Sequence, residues 1–102
     1  MSSPNDNRDI STSSVVAATK DQVSSDLAGE TILLSMQSAM YYGLDEVGSR
    51  IWELVRDPIR VSEISEAIAR EYDVERLQCE ADVIGFLREL ETKGLIEVRD
   101  GT

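Results

Sequence analysis

Residues 22–44 alternate short strand-prone runs with brief connections, and this pattern changes at Asp45. The runs read "QVSSDL", "TILLSM" and "MYYGL", and they cover residues 22–27, 31–36 and 40–44. They are bounded by a glycine-containing turn and by a second tight connection of three residues. Short strands joined by tight turns are typical of an antiparallel meander. The pattern therefore predicts three consecutive strands.

From Asp45 onward the apolar residues recur with a period of about 3.6, which indicates helices. The expected helices run from a cap at Asp45 to Asp57, from a cap at Ser62 to Tyr72, and from residue 75 to residue 93. The first helix ends before Pro58 because a residue that precedes proline is disfavoured in the α conformation. Gly94 ends the third helix. Residues 95–100 are expected either to form a short last strand or to lie extended against the helices.

The third predicted helix carries two apolar stripes where a surface helix needs only one. The broader stripe consists of Cys79, Val83, Phe86, Leu87 and Leu90. The second consists of Leu77, Ala81 and Ile84. Two interpretations remain open on pattern alone. Either a small domain covers both faces of its longest helix, or one stripe faces the core and the other lines a partly open groove.

The length of 102 residues fits one compact domain. Residues 1–13 are almost entirely polar and are predicted to form a disordered tail, so the folded domain is expected over residues 14–102. Residues 15–19, "VVAAT", are the first apolar run and mark where order is expected to begin. No apolar run approaches the roughly 18 residues of a membrane span, and the N-terminal segment lacks the apolar core of a signal peptide. We therefore expect a cytoplasmic protein without membrane contact.

The charge balance excludes several classes of function. Ten basic and twenty acidic residues give a formal net charge of −10, and histidine is absent. Nucleic-acid binding requires a basic surface, which this chain lacks. Cys79 is the single cysteine, so neither an internal disulfide nor a cysteine-type zinc site is expected. We expect no catalytic residues, no metal and no cofactor.

The segments "YYGLDEVGSRIWELV", "RVSEI", "EYDV" and "DVIGFLRELETKGLIEV" resemble, in this order, the PqqD family, and in particular the PqqD-type proteins of lasso-peptide gene clusters. With "ILL" before them, they span residues 31–98. The resemblance implies an α+β, winged-helix-like domain in which a three-stranded antiparallel sheet packs on three helices. It also implies a non-catalytic element that binds the leader segment of a ribosomally made precursor peptide. The implied partners are that leader peptide, a leader peptidase of the cysteine-protease type and an ATP-dependent cyclase.

The resemblance further implies that the leader adds as a β-strand alongside the third strand, against the third helix. The implied strand residues are Met40, Tyr41, Tyr42, Gly43 and Leu44. On the helix, the family's apolar positions match Val83, Phe86, Leu87 and Leu90, which are expected mainly in the core. The groove wall is then expected to consist of Leu77, Ala81 and Ile84, together with Arg88. Which of the two tyrosines faces the helices stays open.

The alternative function is that of a winged-helix DNA-binding regulator, which would share this architecture. Its recognition helix would direct Glu80, Asp82, Glu89 and Glu91 toward phosphates. Because these carboxylates repel a phosphate backbone, the charge favours peptide binding.

Overall fold

The computed structural model describes residues 10–20 and 22–99 of the chain. In this part, six strands and three helices follow one another. The elements are β1 Val15–Ala18, β2 Gln22–Leu27, β3 Glu30–Ser35, β4 Met40–Leu44, α1 Glu46–Val55, β5 Ile59–Arg60, α2 Val61–Tyr72, α3 Arg76–Thr92 and β6 Ile96–Arg99. No helix among the described residues is long and apolar enough to cross a membrane.

The predicted meander forms a three-stranded antiparallel sheet with the order β2-β3-β4, which we call the hairpin sheet. The central strand β3 alternates in burial, since Thr31, Leu33 and Ser35 are buried and the residues between them are more exposed. In register with these three, Leu44, Tyr42 and Met40 of β4 share the inner face. The hairpin sheet thus packs one face on the helices and leaves the other face open.

A second three-stranded antiparallel sheet, which we call the terminal sheet, has the order β5-β1-β6. Its central strand β1 is the run predicted as the start of order, and Val16 is fully buried. The last segment of the chain adopts the strand alternative, as β6. The expected fold class, with three helices and a three-stranded meander, is confirmed, and the terminal sheet is an addition to it.

The predicted tail of residues 1–13 lies partly outside the described residues, which begin at residue 10. Within the described part, Ile10 is only 3% exposed and belongs to the hydrophobic core. The carbonyl oxygens of Thr12 and Ser14 accept hydrogen bonds from the backbone of Ser62 and Val61. Residues that precede β1 therefore pack on the domain.

The helix ends follow from local capping. The Asp45 carboxylate accepts a hydrogen bond from the Gly48 backbone at 2.8 Å, as the cap prediction requires. The second helix begins two residues earlier than a cap at Ser62 predicts, because Arg60 is the N-cap and its backbone donates to the Glu63 side chain. Gly94, with φ of 74°, ends α3 in the left-handed conformation. A side chain there would meet Gln37 of the β3–β4 turn, so the tip of this turn lies against the end of α3.

One hydrophobic core joins both sheets to the three helices. Its largest fully buried side chains include Trp52 of α1, Ile64 of α2, Leu87 of α3 and Leu33 of β3. A bidentate ion pair also links α1 to α2, since Arg50 donates to both carboxylate oxygens of Glu71 at 2.8 and 3.0 Å. The core fixes β4 and α3 relative to each other and thereby shapes the space between them.

Candidate functional site

Strand β4 is an edge strand, because β3 is its single neighbour in the hairpin sheet. Ser49 of α1 bridges the end of this strand pair: its hydroxyl accepts from the Thr31 backbone at 2.9 Å and donates to the Leu44 carbonyl at 3.3 Å. Thr31 and Leu44 thus turn their backbone groups toward each other. By the alternation of an antiparallel ladder, Tyr41 and Gly43 direct theirs to the free edge.

The free edge of β4 lies near α3, and contacts at two positions along α3 define the space between them. Lys93 at the end of α3 places its ammonium nitrogen 5.3 Å from the centre of the Tyr42 ring. About two helical turns earlier, the Phe86 ring approaches α1 so closely that a Cβ on Gly48 would lie 3.2 Å from its Cζ atom. Strand β4 and helix α3 therefore run in opposite directions along a groove, with Phe86 and Lys93 on the helix face toward the strand.

At the Phe86 end the groove opens into a cavity of about 500 Å³. Its walls come from the end of β4, the start of α1, the end of α2, the following loop and α3. The lining residues are Gly43, Leu44, Asp45, Val47, Gly48, Ile51, Ile68, Tyr72, Val74, Cys79, Asp82, Val83 and Phe86. Most of them are apolar, and the volume falls in the range of small-ligand and side-chain pockets.

The cysteine in the cavity wall is poorly reactive. Burial raises the pKa of the Cys79 thiol, and the nearby Asp82 and Glu80 carboxylates raise it further. Its sulfur lies 3.5 Å from the Ser65 carbonyl oxygen, to which it donates. A thiol with a raised pKa is a poor nucleophile. Among the described residues, no group of three or more potential ligands is placed to hold a metal ion.

The two tyrosines of β4 lie on opposite faces of the sheet. Tyr42 is half-buried on the core side, whereas Tyr41 is 71% exposed on the outer face. Of the other predicted strand residues, Gly43 and Leu44 line the cavity, and Met40 is exposed at the start of the strand.

The four predicted helix residues are not brought together with this cavity. Leu77 is 70% exposed, Ala81 and Arg88 are also exposed, and Ile84 packs at the edge of the core. At about 100° per residue they centre roughly 170° around α3 from Phe86. The α3 residues that do line the cavity are Cys79, Asp82, Val83 and Phe86.

Sequence reasoning placed Cys79, Val83 and Phe86 in the broader apolar stripe and did not include Asp82 among the expected groove residues. The sequence of α1 contains one signal for the contact made by Phe86. Gly48 lies within α1, where glycine costs about 1 kcal/mol relative to alanine. Glycine at such a position indicates the close approach of another group, which is here the Phe86 ring.

Comparisons with known proteins agree with the fold. The family model described as Coenzyme PQQ synthesis protein D (PqqD) matches residues 30–96. A solved structure described as TbiB1 in complex with the TbiA(beta) leader peptide is 43% identical, with a TM-score of 0.75, over 79% of this chain and 94% of that chain. No curated protein matches the chain.

Two further solved structures share the fold at lower identity. A lasso peptide synthetase B1 complexed with its leader peptide is 20% identical, with a TM-score of 0.72, over 80% of this chain and 96% of that one. The PqqD truncation of Methylobacterium extorquens PqqCD, described as a stand-alone RiPP recognition element, is 23% identical, with a TM-score of 0.72, over 86% and 94%. The chain belongs to the PqqD family, whose stand-alone recognition domains are not enzymes.

Proposed function

We propose that this protein binds the leader segment of a ribosomally made precursor peptide as an additional β-strand on the free edge of β4. The observation that carries the proposal is the open edge of β4 beside an apolar cavity. A relative of 43% identity, described as a complex with a leader peptide, supports the class of ligand. Strand addition uses backbone hydrogen bonds for attachment and side-chain pockets for selection.

Backbone pairing alone gives little net affinity. Four to six new hydrogen bonds contribute about 0.5–1.5 kcal/mol each. Ordering the leader costs about 1–2 kcal/mol per residue, which nearly cancels that gain. Affinity must therefore come from apolar leader side chains, each of which contributes about 1.5–3 kcal/mol when it is buried.

The cavity at the Phe86 end suits one or two such side chains. Phe86 and Val83 of α3, with Val47 of α1, offer apolar surface directly beside the end of β4. We assign the groove wall to these residues. Contact of the leader with the four predicted helix residues stays a prediction from sequence; they are Leu77, Ala81, Ile84 and Arg88. Their position on another face of α3 favours Phe86 as the residue that contacts the leader.

The finer assignment is to a lasso-peptide pathway, in which a leader peptidase and an ATP-dependent cyclase would act on the bound precursor. Its support is the sequence resemblance and the fold shared with a lasso peptide synthetase B1. A cytoplasmic location likewise stays a prediction from sequence. The alternative of a DNA-binding regulator gains no support from the net charge of −10.

The test is a titration of fluorescently labelled leader peptides against the full chain, with the TbiA(β) leader and the leader of the chain's own precursor as probes. Tyr41→Pro removes a backbone donor at the free edge, where proline is tolerated in a strand. We expect this variant to weaken leader binding by about tenfold or more, since a buried backbone acceptor of the guest loses its partner.

The matched control is Tyr41→Ala, which shortens the same side chain and keeps the N–H group. It should bind the leader within a few-fold of wild type, and both variants should retain the wild-type circular dichroism. Failure of wild type to bind either leader would overturn the proposal. Equal losses in the two variants would exclude strand addition at this edge.

A further inference from the structure

The two ends of the groove between β4 and α3 carry opposite charge. At the cavity end, the Asp45 and Asp82 side chains belong to the lining. At the other end, the Lys93 ammonium lies over the Tyr42 ring, 5.3 Å from its centre. At 1.5 Å per residue, Asp82 and Lys93 are separated by about 16 Å along the helix axis. A strand bound in the groove would therefore meet a negative end and a positive end.

The negative charge at the cavity end has no cationic partner within the described part of the chain. Asp82 accepts a hydrogen bond from the neutral Gln78 side chain at 3.0 Å. Asp45 accepts one from the Gly48 backbone as the cap of α1. Neither carboxylate belongs to an ion pair among residues 10–20 and 22–99. Both charges are thus available to a ligand in the groove.

The Asp82 charge acts on the cavity itself. Burial raises the pKa of the Cys79 thiol in the cavity wall, and Asp82 is the larger of the two charges that raise it further. The other is Glu80, whose charge is offset by Arg76 at 3.8 Å. Asp82 is also exposed at the cavity mouth, so a ligand can reach its carboxylate.

Lys93 is the complementary cation at the far end of the groove. Its side chain is half-buried against Tyr42 and forms no ion pair with any residue that the structure describes. The attraction between the ammonium and the ring holds the cation beside β4. A guest strand on the free edge of β4 would pass this ammonium, which can accept a carboxylate as its partner.

A single extended segment can reach both ends of the groove. A strand rises about 3.3 Å per residue, so the distance between the two charges corresponds to about five residues. Both strand pairs of the hairpin sheet are antiparallel, and antiparallel pairing is the more stable kind per residue. Since β4 ends at the cavity, the N-terminal part of an antiparallel guest lies at the cavity end.

We propose that the groove selects leaders by charge: a basic residue of the leader pairs with Asp82, and an acidic residue about five positions closer to the leader's C-terminus pairs with Lys93. The inference rests on the proposed function and names the leader chemistry that the site prefers. Apolar side chains supply most of the affinity, whereas the two charges discriminate among leaders. A leader with the reverse order of charges meets a like charge at each end, which lowers its affinity.

The test is a substitution scan of the TbiA(β) leader peptide, titrated against the full chain. Each position is replaced in turn by lysine and by glutamate. We expect one position at which the lysine peptide binds about fivefold more tightly than the glutamate peptide, as for a partly exposed ion pair. About five residues closer to the C-terminus, glutamate should be preferred by a similar factor. Both preferences should shrink at about 1 M salt, because exposed charges are screened.

Two variants assign these preferences to their partners. Asp82→Asn removes the charge and keeps the size of the side chain, so it should abolish the preference for lysine and leave the preference for glutamate. Lys93→Gln should do the reverse. The matched control is Glu91→Gln, which removes one negative charge from the exposed opposite side of α3 and should change neither preference. All three variants should retain the wild-type circular dichroism.

Equal binding of the lysine and glutamate peptides at every position would overturn the proposal and leave leader binding itself intact. Preferences that Asp82→Asn and Lys93→Gln do not alter would also overturn it, and so would an equal change in Glu91→Gln. The opposite order of the two preferences along the leader would contradict it as well. If wild type binds no leader peptide at all, the proposed function fails and this inference fails with it.

Discussion

The two sheets of this domain have the same strand number and the same antiparallel pairing, yet they treat their apolar residues differently. In the terminal sheet Val16, Ala17 and Ile96 are buried, and none of the exposed large hydrophobics among the described residues belongs to it. The hairpin sheet buries one face and exposes Val23, Leu27 and Tyr41 on the other. The terminal sheet thus contributes its apolar side chains to the core, whereas the hairpin sheet leaves apolar surface and a strand edge available for partners.

This contrast predicts that the terminal sheet determines stability, whereas the hairpin sheet determines recognition. The largest expected effect is on stability. Ile96→Ala removes a buried side chain of the terminal sheet and should lower the free energy of unfolding by about 2–5 kcal/mol. Val23→Ala in the hairpin sheet should lower it by less than about 1 kcal/mol, since the residue is exposed. Urea unfolding followed by circular dichroism measures both values.

The folded fraction of Ile96→Ala should bind the leader within about twofold of wild type, because no residue of β6 lines the cavity. A large loss of affinity in this variant would contradict the division of roles between the sheets.

The second prediction concerns affinity and compares two faces of α3. Phe86→Ala enlarges the cavity and removes its aromatic wall, so leader affinity should fall by about 1.5 kcal/mol, or about tenfold. Leu77→Ala shortens an exposed side chain on the opposite face and should leave affinity unchanged. Isothermal titration of both variants with one leader peptide compares them directly. The reverse result would support the groove wall expected from the sequence.

The hairpin sheet could be predicted from sequence because its pairing is local. Its strands follow one another within residues 22–44, and strand β4 has the predicted bounds. The terminal sheet could not, because β1 pairs with β6 at the other end of the chain, where Val16 lies opposite Val98. A pairing over that separation leaves no periodic signal in either segment.

On the strand side of the groove, the sequence predicted the position of β4, whose bounds are confirmed. On the helix side, the prediction depended on dividing α3 into a core stripe and a groove stripe. Val83 and Cys79 are almost fully buried, as the core stripe predicts, and they also line the cavity wall. Apolar residues at the boundary between core and cavity belong to both, and the pattern along one helix does not distinguish them.

The smallest expected effect concerns the Arg50–Glu71 pair, which links two helices that both line the cavity. The hydrogen bonds from Arg50 hold the pKa of the Glu71 carboxyl below its ordinary value of 4.5. A carboxylate with a lowered folded-state pKa stabilises the fold above its unfolded pKa and loses that contribution as pH falls through the folded value. Glu71→Gln should therefore lower the melting temperature slightly at neutral pH, and the difference from wild type should vanish in acid. Because the pair is exposed and the apolar core fixes α1 on α2, leader affinity at neutral pH should not change. A variant that melts like wild type but binds the leader poorly would instead show that this surface pair, and not the core, positions the cavity walls.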